Sequence, residues 1–184
     1  MQTDLNRLKR RPFLVPLLLP VALIALSAAM AIWLFDARAT SMIIVVSNAE
    51  TEQGVAPDSG LNEAGLARAK RLLQFLTQAK PGRGIDVVYV SEGIATQQTA
   101  APLASSMGLA VNVVSNVTWD RLQHIISRDH SGEMILVVAT HDSLKAFITQ
   151  TGAGDVTLDD QDASSVFIIS CSRLSKPAMV RLKY

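Results

Sequence analysis

The residues best suited to chemistry lie where two apolar runs end. Ser47 and Asn48 follow the β-branched run at residues 43–46, and His141 follows a second apolar run at residues 134–139. In α/β proteins, ligand-binding and reactive side chains gather at the carboxyl ends of the strands. The sequence therefore predicts that these polar groups lie together at one edge of a sheet.

A serine-hydrolase triad is one interpretation of this set. Ser47 would be the nucleophile and His141 the base, with Asp142 or Glu92 as the orienting acid. However, a triad serine needs a sharp elbow of the type G-x-S-x-G, and the local sequence VVSNAE does not contain one. The pattern therefore argues against a triad.

A metal site built from His141, Asp142 and Glu50 is a second interpretation. No ligand spacing such as H-E-x-x-H supports it. The acidic stretch at residues 155–162 lacks the spacing of an EF-hand and is predicted to be a solvated loop. The single Cys171 excludes an internal disulfide and a thiolate metal cluster. We expect no metal and no cofactor.

Other residues that attract attention have structural explanations. We expect Trp119 to begin a helix as a packing anchor, and His124 and His130 to be solvated surface residues. The triplet at residues 116–118 matches a glycosylation acceptor, a pattern that often occurs by chance.

Strands and helices alternate from residue 42 onward. Continuous apolar runs are typical of parallel strands covered on both faces. The first helix is the clearest, because Asn62 is suited to cap it and Ala69, Leu72 and Leu76 recur at helical spacing. The predicted strands span 42–46, 85–90, 110–114, 134–139, 166–171 and 179–183, and the predicted helices span 62–78, 96–107, 118–128 and 143–151.

This order predicts a three-layer α/β/α sandwich with a mainly parallel sheet. The last two strands leave no room for a crossover helix, so they should form an antiparallel hairpin at one edge.

An uncharged apolar run at residues 12–35 precedes this domain. A helix of about 20 apolar residues spans a hydrocarbon core, whereas the apolar core of a cleaved signal peptide is shorter, at about 7–15 residues. The run therefore predicts an uncleaved transmembrane signal-anchor helix in contact with the lipid bilayer. Basic residues are concentrated before the run, at positions 7 and 9–11, and only Arg38 closely follows it.

By the positive-inside rule, this charge bias places residues 1–11 in the cytoplasm. Residues 36–41 would form a linker, and residues 42–184 would form a domain outside the cytoplasmic membrane, in the periplasm of a Gram-negative cell. The net charge of +1 does not suggest the concentrated basic surface that a nucleic-acid-binding protein needs, so we expect no nucleic acid as a partner.

Three motifs in the domain resemble those of the histidine phosphatase superfamily, which has the phosphoglycerate-mutase-like fold. They are SNAETEQG after the first strand, LNEAG at residues 61–65 and TQQTAAPLA at residues 96–104, and the strand leading into His141 supports them. In that family the first strand ends in Arg-His. The His accepts the phosphoryl group, while the Arg, a second Arg before the TQQTA-type helix and a second His hold its oxygens.

The resemblance places the family's first Arg at Ser47, the nucleophilic His at Asn48 and the second Arg at Ala95; only the second His is retained, as His141. An amide nitrogen is not a nucleophile at neutral pH, and neither Ser47 nor Ala95 carries a charge that could stabilise a phosphoryl group. The resemblance therefore implies a catalytically inactive, membrane-anchored member of the family.

We expect such a protein to be a binding or assembly subunit of a membrane protein complex, with an integral membrane protein as its partner. One alternative is a sensor that binds a small anion or phosphate weakly through Ser47, Asn48, Glu92 and His141. Another is an extracytoplasmic phosphatase of envelope phosphate esters, which the resemblance would suggest if the missing residues were ignored.

Overall fold

The computed structural model describes residues 15–51, 59–78, 84–154, 156, 164–172 and 175–184. The predicted cytoplasmic segment, 1–11, and nearly all of the predicted acidic loop, 155–162, lie outside these residues. The chain divides into two compact units, Met1–Ala37 and Arg38–Tyr184.

The first unit contains helix α1, Val15–Ala39. Its described side chains, from residue 19 to residue 34, are exposed, and they include large apolar groups such as Ile24 and Trp33. Among the described residues, no helix meets both the length and the apolarity of a membrane span. Helix α1 continues to Ala39 and the first strand begins at Ser41, within the segment 36–41 that the sequence predicts as a linker.

The second unit is an α/β domain with one six-stranded sheet in the order β3-β2-β4-β1-β5-β6. The strands are β1 Ser41–Ser47, β2 Val87–Ser91, β3 Val111–Val114, β4 Met134–Ala139, β5 Ser165–Cys171 and β6 Ala178–Lys183. The helices are α2 Glu63–Gln78, α3 Ile94–Met107, α4 Asn116–Trp119, α5 Leu122–Asp129 and α6 His141–Thr151.

The sheet is mixed, as the sequence predicts. β1, β2, β3 and β4 pair in parallel, whereas β5 is antiparallel to β1 and forms the predicted edge hairpin with β6. Successive β1 side chains belong to different hydrophobic clusters. Ile43 and Val45 pack with residues of α5 and α6, and Ile44 and Val46 pack with residues of α2 and α3. Helices therefore cover both faces of the sheet.

The helix predicted at residues 118–128 is wrong in detail, because the segment forms two helices, α4 and α5. Trp119 ends α4 instead of beginning a helix. Its side chain is buried against Phe147, and its indole Nε1 donates to the Ser143 carbonyl at 3.1 Å. Trp119 therefore anchors the end of α4 to α6.

The prediction for His130 is also wrong. His130 is not solvated, because its Nε2 lies 2.8 Å from the Tyr89 hydroxyl and its Nδ1 lies 2.7 Å from Glu133 Oε2. Its carbonyl accepts a 2.7 Å hydrogen bond from the Ser41 hydroxyl. This network joins the amino-terminal ends of β1 and β4 to β2. His124 is exposed, as predicted.

Candidate functional site

Three parallel strands end at the same edge of the sheet. Ser47, the last residue of β1, pairs with Ala139, the last residue of β4, and Val90 of β2 pairs with Val138. The loop after β1, helix α3 and helix α6 all begin at this edge. It is the place where open α/β sheets bind ligands.

The loop after β1 is held to both neighbouring elements by backbone hydrogen bonds. The Asn48 amide donates to the Ala139 carbonyl at 2.9 Å, and the amide of buried Ala49 donates to Thr99 Oγ1 at 3.0 Å. Thr99 Oγ1 in turn donates to the Ala95 carbonyl at 2.7 Å. One buried hydroxyl thus connects the end of β1 to the first turn of α3.

The Asn48 side chain forms a hydrogen bond with the adjacent residue. Its Nδ2 donates to the Ala49 carbonyl at 3.0 Å, and the residue is half-buried. An amide nitrogen has its lone pair delocalised into the carbonyl, so this group donates hydrogen bonds and does not attack electrophiles. Ser47 is half-buried beside it.

His141 is the first residue of α6 and lies two residues beyond Ala139. The helix begins after Thr140, whose carbonyl accepts the Leu144 amide at 2.8 Å and whose hydroxyl donates to Ser143 Oγ at 3.0 Å. Because Asn48 and His141 follow paired strand ends, the register brings Ser47, Asn48 and the half-buried His141 to the same edge of the sheet.

Ala95 lies in the first turn of α3, with 9% of its surface exposed. Its methyl group supplies neither charge nor a hydrogen bond at this position. Glu92 is exposed, and its Oε2 accepts the Asn116 amide of α4 at 3.2 Å. Glu92 is therefore engaged with the neighbouring helix.

Sequence reasoning missed Arg68. This residue of α2 is buried and forms an ion pair with Glu50, two residues after Asn48. The helical spacing of the sequence could have indicated this residue, because Arg68 lies on the same buried face of α2 as Gly65, Ala69 and Leu72. A charged residue on a buried helical face usually has a partner.

The same helix confirms the predicted cap. Asn62 Oδ1 accepts the Gly65 amide at 2.8 Å, and the Asn62 amide donates to the Glu50 carbonyl at 3.0 Å. The start of α2 therefore packs directly on the loop that follows β1. Within the described ranges, no group of three or more His, Cys, Asp or Glu residues has the arrangement of a metal site.

The model of the histidine phosphatase superfamily (branch 1) matches residues 44–125. The curated protein sequences contain no match to this chain.

Solved structures share the fold at low sequence identity. The protein histidine phosphatase SixA complexed with tungstate aligns with a TM-score of 0.64 and 13% identity, over 77% of this chain and 96% of that chain. Phosphoserine phosphatase from Entamoeba histolytica, in complex with 3-phosphoglyceric acid, aligns with a TM-score of 0.59 and 12% identity, over 78% and 97%. A mycobacterial glucosyl-3-phosphoglycerate phosphatase aligns with a TM-score of 0.57 and 12% identity, also over 78% and 97%.

At these identities the structures show the fold alone. The family match thus covers part of the domain, and the solved structures share the fold of the domain.

Proposed function

We propose that this chain, whose domain has the histidine phosphatase fold, is a catalytically inactive member that acts as a membrane-anchored binding or assembly subunit. The observation that carries the proposal is the chemistry at the carboxyl edge of the sheet. The motif resemblance equates Ser47, Asn48 and Ala95 with the family's first guanidinium, nucleophilic imidazole and second guanidinium, and Ser47 and Asn48 lie where β1 ends while Ala95 lies in the first turn of α3.

Phosphoryl transfer needs a nucleophile and cations close to the transferring oxygens. Asn48 supplies no nucleophile, and its Nδ2 already donates to the neighbouring carbonyl. Loss of a single charge-stabilising donor typically lowers the rate about 10²–10³-fold. The combined loss of three groups predicts an inactive site, although His141 is retained.

Membrane anchoring is the second part of the proposal. It is supported by the apolar run at residues 12–35, by the basic residues ahead of it and by the exposed apolar side chains of α1. The inferred location is the inner, cytoplasmic membrane, with the N-terminus in the cytoplasm and the domain on the periplasmic side.

The inferred partner is an integral membrane protein. Ser27, Ala28 and Ala29 form a short group of small residues in α1, which favours close packing of a second helix. The Ser27 hydroxyl donates to the Ile24 carbonyl of its own helix at 2.9 Å. Packing through these residues would therefore depend on their small size more than on hydrogen bonds between helices.

A phosphatase assay tests the inactive site. The purified full chain, incubated with para-nitrophenyl phosphate, should show no turnover above that of an Asn48→Ala variant. Turnover that disappears in a His141→Ala variant would instead favour the phosphatase of envelope phosphate esters.

An association assay tests the assembly role. Full-length protein extracted in mild detergent should retain its partner. A second variant has residues 12–35 exchanged for an unrelated spanning helix. If this variant loses the partner, the contact is made through the helix, and if it keeps the partner, the contact is made through the domain. Recovery of only monomeric protein, after cross-linking in the intact membrane, would count against an assembly role.

A further inference from the structure

A groove of about 510 Å³ lies along α4 and α5, on the surface of the domain. The side chains that line it are Val117, Thr118, Arg121, His124, Ile125 and Arg128. Arg121, His124 and Arg128 recur at intervals of three and four positions, which is the spacing of neighbours on one face of a helix. The groove is separate from the positions that the motif resemblance equates with the family's site.

The groove combines apolar surface with positive charge. Val117 is 86% exposed, the highest exposure among the large apolar residues in the described part of the chain, and Ile125 is half-buried beside it. Arg121, His124 and Arg128 are exposed. Among the described residues, no acidic side chain lines the groove. Apolar surface bordered by cations is typical of a site that binds an anionic partner.

Asp120 and Asp129 lie next to the lining residues in the sequence, but they leave the cations available. Asp120 Oδ1 accepts a hydrogen bond from Gln150 Nε2 of α6 at 3.3 Å, so this carboxylate is engaged with another helix. Asp129 holds Arg128 through two hydrogen bonds of 2.7 and 2.8 Å. Both side chains of that pair are exposed, and exposed ion pairs contribute little to stability. A carboxylate of a partner can therefore replace Asp129 on Arg128.

The spacing of the cations distinguishes between anionic partners. Arg121 and Arg128 are seven residues apart, which is ~10 Å along a helix that rises about 1.5 Å per residue. A single phosphate group does not match two cations whose backbone positions are this far apart. Carboxylates at positions i and i+7 of a second helix have the same separation, and apolar side chains at i+3 and i+4 lie between them on the same face.

We propose that the groove binds an acidic amphipathic helix of a partner protein. Two carboxylates of that helix pair with Arg121 and Arg128, and its apolar side chains cover Val117 and Ile125. This inference rests on the proposed assembly role, for which it names a surface of the domain and the chemistry of the segment that the surface recognises.

The test uses a synthetic alanine-based helical peptide with two glutamates seven positions apart and two leucines midway between them. We expect the full-length protein to bind this peptide at least ~5-fold more tightly than a peptide with glutamines in place of the glutamates. An Arg121→Gln/Arg128→Gln variant should lose that preference. Asp129→Asn, which releases Arg128, should strengthen binding, and Val117→Ser should weaken it at least ~3-fold because apolar contact is lost.

A matched control removes the same charge from another surface. Lys70 and Arg71 are exposed on α2, and Lys70→Gln/Arg71→Gln should bind the peptide as the wild type does. Equal losses in this control and in Arg121→Gln/Arg128→Gln would overturn the proposal, because net charge alone would then explain the binding. Equal affinity of the wild type for the two peptides would also overturn it.

An anionic lipid surface is the competing occupant of the groove. Vesicles of phosphatidylglycerol and phosphatidylcholine are therefore tested with the same proteins. If the wild type binds these vesicles through Arg121 and Arg128 but does not prefer the glutamate peptide, the occupant is a lipid surface and the proposal fails. These measurements use neither turnover nor retention of the partner, so failure here is distinct from failure of the proposed function.

Discussion

The Asn48 amide donates a 2.9 Å hydrogen bond to the Ala139 carbonyl. This contact fixes the first residue after β1 against the end of β4, two residues before His141. The residue that the motif resemblance equates with the family's nucleophile is thus held by its backbone at the edge of the sheet, and its side chain is an amide.

Restoring the family's side chains should restore phosphate binding. A variant with Ser47→Arg, Asn48→His and Ala95→Arg should bind inorganic phosphate at least ~10-fold more tightly than the wild type in calorimetry, because two guanidinium groups hold a dianion bidentately. The neutral variant Ser47→Met, Asn48→Gln, Ala95→Met controls for volume, since overpacking at buried Ala95 costs about 1–3 kcal/mol. Equal binding by the two folded variants would show that these positions do not form one pocket.

Thr99 should contribute more to the free energy of unfolding than an ordinary helical threonine does. Thr99→Val removes the acceptor of the Ala49 amide and should lower the free energy of unfolding by about 1–3 kcal/mol, because that buried amide loses its partner. Thr149→Val is the matched control: Thr149 makes the same type of bond to the carbonyl four residues earlier but is exposed. Urea denaturation should show a change within ~0.5 kcal/mol for the control. Similar losses in both variants would argue against the bridge between β1 and α3.

Gly65→Ala should be destabilising although it lies inside a helix. Alanine normally stabilises a helix interior by about 1 kcal/mol relative to glycine. Here the added Cβ would collide with the backbone carbonyl of Glu50. We expect a loss of more than ~2 kcal/mol in denaturant unfolding.

The exposed position Ala64, substituted by glycine, provides the comparison within the same helix. The Ala64→Gly variant should lose about 1 kcal/mol of the free energy of unfolding, from helix propensity alone. A Gly65→Ala variant as stable as the wild type would contradict the close approach of α2 to the loop.

Ionisation of Tyr184 should lower the stability of the folded protein at alkaline pH. Burial raises the pKa of Tyr184 above its usual value near 10, so the folded state holds this proton more tightly than the unfolded state. Its contribution to stability is complete below pH ~10 and is lost as the pH rises through the folded-state pKa. The Tm of the wild type should therefore fall more steeply above pH ~10 than that of Tyr184→Phe.

Tyr89 is present in both proteins, and its pKa is also raised, chiefly by burial. Its contribution cancels in the comparison between the wild type and Tyr184→Phe. Parallel curves of Tm against pH for these two proteins would exclude a buried phenol at position 184.

The order of the elements could be predicted from the sequence because it depends on local patterns. Each of these patterns is formed by residues that are close together in the chain. The patterns are the continuous apolar runs of β1 and β4, the helical spacing in α2 and the Asn62 cap. The contact of Trp119, the last residue of α4, with α6 could not be predicted, because it joins residues that are 24 positions apart in the chain.

The common edge of Ser47, Asn48 and His141 could be predicted for the same reason, whereas their role as a binding site stays a prediction. The side-chain chemistry at positions 47, 48, 95 and 141 is a property of residue identity, and parallel pairing of apolar strands places strand ends at one edge. The hydrogen bond between Glu92 and Asn116, by contrast, follows from the pairing of β2 with β3, which brings the residues after these two strands together.

The sequence by itself determined the order of the elements of this α/β domain and the side chains at positions 47, 48 and 95, since no packing changes what a hydroxyl, an amide or a methyl group can do. Only the tertiary structure decided where the buried charge lies. Arg68 meets Glu50 because the start of α2 packs on the loop after β1, although the two residues are far apart along the chain. Burial makes such a meeting necessary, because a guanidinium removed from water needs a counter-ion, and local periodicity does not specify which one.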